Sequence, residues 1–75
     1  MMEKVKNFVR SYIDTLVYYA LQNSGFVIPF EVMWEQDISP YIVKDTFENE
    51  KLKPYVKEAF VDDDGVVVIA RNPIC

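Results

Sequence analysis

Apolar side chains recur at Val5, Phe8, Val9, Tyr12, Ile13, Leu16, Val17 and Ala20. Steps of three and four residues place them on one face of a helix, which predicts a single amphipathic helix over residues 3–23. Asn23-Ser24-Gly25 then gives a stop, with Gly25 expected in the left-handed conformation that follows a helix end. Tyr18, Tyr19 and Leu21 fall beside the main stripe. They either broaden the face that wraps the core or form the interface of a homodimer, and both readings stay open.

Phe26-Val27-Ile28 is a short β-prone run closed by Pro29. Proline has no N–H for a ladder, so this strand is expected to be brief and peripheral. Phe30, Met33 and Trp34 stand at i, i+3 and i+4, predicting about two helical turns that open at Pro29. Trp34 is expected to anchor the core rather than to serve as a ligand platform. Asp37-Ile38-Ser39-Pro40 follows. Serine is a favoured N-cap, and proline suits the first helical position, where its missing N–H has no intrahelical partner to lose. A helix should therefore start at Pro40. Ile42, Val43 and Phe47 are expected to face inward and Tyr41, Lys44, Asp45 and Glu48 outward. Its end should precede Pro54, since the residue before a proline avoids helical dihedrals.

The remainder predicts a β-hairpin. One β-prone run spans residues 56–61 and a second spans 66–70, with Asp62-Asp63-Asp64-Gly65 between them. An Asp-Gly step between such runs is a strong local hairpin signal. A short helix from Pro54 through Ala59, shortening the first strand, is the alternative.

The order helix, strand, helix, tight turn, helix, hairpin resembles the winged helix-turn-helix superfamily over most of the chain, from Ser11 to Arg71. The resemblance implies an α+β winged-helix-like domain with three helices, a small antiparallel sheet and a C-terminal hairpin. Residues 30–36 would form the supporting helix and Asp37-Ile38 the turn, with Asp37 in place of the usual glycine. The helix from Pro40 to Lys51 would be the recognition helix, and residues 62–65 the tip of the wing. The function so implied is a small regulator that binds double-stranded DNA. Tyr41 and Lys44 would reach base edges, Ser39 a phosphate, and Lys51, Lys53 and Lys57 the backbone. Lys4, Lys6 and Arg10 form a second basic cluster near the start of the chain.

Charge complicates that reading. The 75 residues carry 8 Lys and Arg against 12 Asp and Glu, a net charge of −4, whereas DNA affinity comes largely from neutralised phosphates. The wing tip holds three aspartates, and Asp45 and Glu48 share the exposed face of the recognition helix. The alternative is an acidic protein-interaction or inhibitor module working by dimerisation, docking or nucleic-acid mimicry. Asp62, Asp63 and Asp64 with Glu31, Glu35 and Asp37 would carry the mimicry. An acidic chain rich in Tyr, Trp and Met suits such a role, because aromatics and Met are enriched in interface cores. Charge geometry separates the two: a basic face joining Lys44, Lys51 and Lys53 favours DNA, and acids dispersed among them favour the protein partner.

Composition narrows the remaining classes. A chain of this length forms one domain, residues 1–75, and buries only about 60% of its unfolded surface. Its 51% hydrophobic content nevertheless allows a dense core, with apolar surface to spare for self-association. One cysteine, Cys75, permits no internal disulfide, and the absence of histidine leaves no plausible zinc site. No cofactor is expected. Nor is catalysis, for no serine or cysteine has a partner base and histidine is lacking. Asp62-Asp63-Asp64-Gly65 resembles the start of a calcium loop, but Pro73 falls where the bidentate Glu is needed. With no signal-peptide run and no membrane-length apolar stretch, a cytoplasmic protein is expected.

Overall fold

A computed structural model describes residues 2–49 and 51–74. The chain is α+β: three main helices, a short fourth one, and a three-stranded antiparallel sheet that includes a C-terminal hairpin. In chain order these are α1 (Met2–Arg10), α2 (Ile13–Leu21), β1 (Gly25–Pro29), α3 (Phe30–Trp34) and α4 (Pro40–Phe47). A single 3₁₀ turn (Lys53–Tyr55) then leads into β2 (Val56–Val61) and β3 (Gly65–Ala70).

The predicted first helix is two helices. Its apolar periodicity runs unbroken through residues 11 and 12, but its hydrogen bonds do not. In an α-helix the Phe8 carbonyl would accept from the Tyr12 N–H. Here it accepts instead from the Ser11 hydroxyl at 2.5 Å and the Ser11 N–H at 3.2 Å. The Tyr12 N–H tightens to the Val9 carbonyl at 2.9 Å. Serine side chains that bond back onto the helix commonly bend it in this way.

The end of α2 also differs from expectation in its residue. Ser24 N–H donates to the Tyr19 carbonyl at 3.0 Å and Asn23 N–H to the Ala20 carbonyl at 3.0 Å. This is a Schellman closure with Asn23, φ 51°, as the left-handed residue. Gly25 is the first residue of β1 and serves another purpose: a Cβ there would sit 2.7 Å from the Val68 carbonyl oxygen of the neighbouring strand.

The sheet order is β1-β3-β2. β1 is an edge strand ending at Pro29, as its proline predicts, and it pairs with β3 through Phe26↔Val68 and Ile28↔Val66. The hairpin pairs Ala59↔Val68 and Val61↔Val66, and a bulge at Lys57 lets both Val56 and Ala59 turn inward. The Asp62 carboxylate closes the turn by accepting the N–H groups of Asp64 at 2.8 Å and Gly65 at 3.3 Å. Gly65 has φ +148°, and a Cβ on it would lie 2.0 Å from the Ile28 carbonyl oxygen. Glycine is needed there by both the turn and the close approach of β1. The alternative helix from Pro54 to Ala59 does not form beyond the 3₁₀ turn.

Helices cover one face of the sheet. Phe47, Leu16, Ile28, Met33, Val43, Val66 and Val68 are the largest fully buried side chains. Phe26 links the layers: its ring stacks on Tyr12 at 6.2 Å and Tyr19 at 5.4 Å, and meets Phe47 edge-on at 6.2 Å. Burial raises the Tyr12 phenol above its ordinary pKa by desolvation. Among the described residues, no helix is long and apolar enough to cross a membrane.

Candidate functional site

The turn from α3 to α4 is a second Schellman closure. Ile38 N–H donates to the Met33 carbonyl at 2.9 Å and Asp37 N–H to the Trp34 carbonyl at 3.0 Å. Asp37 takes φ 55°, the left-handed conformation that aspartate tolerates better than most residues. Ile38, the next residue, is buried and pins the turn to the core. Ser39 then occupies the N-cap and Pro40 the first helical position, as the sequence predicts. The Ser39 hydroxyl makes no capping bond, so its backbone conformation and carbonyl, which accepts from Val43 N–H at 3.1 Å, start the helix.

α4 runs to Phe47, about one turn short of Lys51. Thr46 bonds back to the Ile42 carbonyl at 2.7 Å, and the Asn49 side chain accepts the N–H groups of Lys51 at 3.0 Å and Leu52 at 3.2 Å. These local bonds replace further helix with a turn. Val43 and Phe47 are buried as predicted, but Ile42 is 43% exposed. Trp34 is not the expected core anchor either. It is 61% exposed and stacks on Phe30 with ring centroids 5.1 Å apart and planes 8° from parallel. α3 has only five residues, and Met33 fills its place in the core, which turns the adjacent Trp34 outward.

Trp34, Pro40 and Ile42 consequently line one side of a groove of about 940 Å³, with Val5 and Ile38 at its base and Lys4 and Asp37 at its rim. Tyr41, 67% exposed, lies on α4 outside the lining of that groove. Exposed carboxylates at Glu31, Glu35, Asp37 and Asp45 belong to the same two helices and their turn. Lys44 is held within this acidic setting. Its Nζ lies 2.7 Å from Glu48 Oε1 and 3.6 Å from Asp45 Oδ1. The hydrogen bond to Glu48 holds its pKa above the ordinary lysine value.

The other lysines proposed to contact DNA are arranged differently from their order in the chain. Lys51 joins Lys6 and Arg10 around a groove of about 570 Å³ between the first two helices and the turn after α4. Lys53 and Lys57 are exposed and stand outside that groove, on the 3₁₀ turn and on the β2 bulge. Arg71 fastens the 3₁₀ turn by donating to the Pro54 carbonyl at 3.3 Å and the Lys53 carbonyl at 3.4 Å. Asp62, Asp63 and Asp64 at the hairpin turn are exposed. Of the residues assigned to a dimer interface, Tyr18 and Leu21 are 59% and 63% exposed, whereas Tyr19 is half-buried against Phe26. The exposed Trp34–Ile42 surface and the grouping of Lys51 with α1 were both missed by sequence reasoning. The shortness of α3 hinted at the first; nothing local encodes the second.

The chain matches no protein-family model, no curated protein and no solved structure.

Proposed function

We propose that this chain is a protein-docking module of winged-helix type, and that it receives a basic amphipathic segment of its partner on the α3–α4 corner. The observation that carries this reading is the chemistry of the exposed face of α4. Where a recognition helix would present polar and cationic groups to base edges, this one exposes Tyr41 and Ile42, and Ile42 shares a groove with Trp34. Its one lysine is engaged by Glu48 and Asp45. Aromatic anchors set in a groove are the usual energetic centre of a protein interface, and the surrounding carboxylates favour a cationic partner.

A second reading, a DNA-binding regulator, draws support from the order of helices and strands and from the helix-turn-helix geometry around Asp37. Lys51 would supply phosphate contacts in it, with Lys53 and Lys57.

The protein has one tryptophan, so its emission reports directly on the proposed docking surface. Titration with a synthetic Leu/Lys amphipathic helix should shift Trp34 emission to the blue as the indole leaves water. Tyr41→Ala should weaken that response roughly tenfold, as expected for loss of an interface anchor. The opposite pattern would overturn the docking reading in favour of DNA: no response to the peptide, together with salt-sensitive binding of a labelled duplex that Lys51→Ala and Lys53→Ala abolish.

A further inference from the structure

We infer that the groove bounded by α1, the start of α2 and the turn after α4 is a binding site for a small organic anion, a phosphate or carboxylate carried on an apolar body. Lys6 and Arg10 are four residues apart on α1 and so share one helical face. Lys51 faces the same groove from the opposite wall. Two like charges at this spacing on a helix repel each other by a few tenths of a kcal/mol in isolation. The chain has more acids than bases, yet among the described residues the ion pairs belong to Lys44 and none of those lining this groove is a carboxylate. Arg10 makes only a 3.5 Å contact to the Asn7 side-chain oxygen.

The neutral polar groups of the groove are partly engaged within the chain. Thr46 donates its hydroxyl hydrogen to the Ile42 carbonyl, and the Asn49 side-chain oxygen is occupied by two backbone N–H groups. The Asn49 amide nitrogen and three cations supply donors suited to an oxyanion, and the Thr46 oxygen is left as an acceptor. The floor is apolar. Val9 is 3% exposed, and Ile13 and Leu52 are half-buried beside it. A volume of about 570 Å³ falls within the range of small-ligand sites, about 300–1,000 Å³. The apolar floor of Val9, Ile13 and Leu52 favours an amphiphilic anion over a duplex, whose phosphates would leave it uncovered. This site is separate from the Trp34 groove and does not depend on the docking reading.

Amide-resolved NMR titrations of the full chain with phenyl phosphate, octanoate, inorganic phosphate and a short DNA duplex test the proposal. Phenyl phosphate or octanoate should give saturable shifts at residues 9–13, 46–49 and 51–52, and the tighter of the two identifies the preferred headgroup. Arg10→Gln and Lys51→Gln should each weaken that binding roughly tenfold, as expected for loss of a charge-assisted hydrogen bond. Lys57→Gln, on the sheet, should leave it unchanged. Inorganic phosphate should bind more weakly than phenyl phosphate, because it leaves Val9, Ile13 and Leu52 uncovered. The proposal is overturned by any of three results: no saturable shift up to about 10 mM ligand, equal binding of inorganic and phenyl phosphate, or Lys51-dependent binding of the duplex alone.

Discussion

The two ends of α4 border opposite chemistry. Near its N-terminus, Trp34, Pro40 and Ile42 form an apolar groove with Asp37 and Lys4 at its rim, on helices that expose Glu31, Glu35 and Asp45 as well. Past its C-terminus, Lys6, Arg10 and Lys51 surround a groove that has no acid in its lining among the described residues. Between them Lys44 is tied to Glu48 and Asp45, so it adds little free positive charge to either end. A helix that read DNA would carry one kind of chemistry along its exposed face. This one separates an apolar surface from a cationic one over two helical turns, the basis on which a peptide and an organic anion are proposed as separate ligands.

Removing the support shared by both ends should have the largest effect. Phe47 is fully buried and meets Phe26 edge-on, so Phe47→Ala should destabilise the fold by about 3–5 kcal/mol. In a domain this small that approaches the whole stability, and urea denaturation should show both surfaces lost together. Gly65→Ala comes next. The added methyl would collide with the Ile28 carbonyl at a φ that L-residues avoid, for an expected loss of about 2–4 kcal/mol. Where the protein remains folded, its relative preference for peptide and organic anion should be unchanged, since Gly65 touches neither groove.

Tyr41→Ala sharpens the contrast at the apolar end. Its exposure predicts a stability change within about 0.5 kcal/mol in thermal denaturation, while peptide-induced Trp34 emission changes should weaken and anion shifts persist. A combined loss of stability and both activities would show that the two ends are one structural unit. The smallest effect is expected from Lys44. Because Glu48 raises its folded pKa above 10.5, the stability it contributes is complete below that pH and is lost as pH rises through the raised value. An alkaline denaturation series should show this loss in the parent chain and a smaller one in Glu48→Gln, where Asp45 remains beside the ammonium.

Local signals were read well where the backbone chemistry is itself local. Ser39-Pro40 marks the start of α4, Asp-Gly marks the hairpin, and Pro29 marks the end of an edge strand. Asp37 takes the turn position where glycine is usual. Reading failed where two local rules competed. Apolar spacing favours continuity through Ser11, yet its hydroxyl takes the carbonyl that continuity requires. Glycine is the usual left-handed cap, yet Asn23 comes first and closes the helix, leaving Gly25 to admit the β3 backbone. Trp34 and Met33 both read as core, and a five-residue helix had room to bury only one of them.

The amino-acid sequence by itself determined the kinds of element, most of their ends and an acid-rich chain with a sufficient apolar core. Those properties depend on dihedral preferences, hydrogen-bonding partners a few residues away and hydrophobic period. Tertiary structure alone decided which apolar residues were left outside and which charges became neighbours. Lys51 is 41 residues beyond Arg10 along the chain, and only the packing of α1 against α4 brings them around one groove. Coulomb and dispersion forces act across space rather than along sequence, so the grooves at the two ends of α4 exist only once the helices are packed.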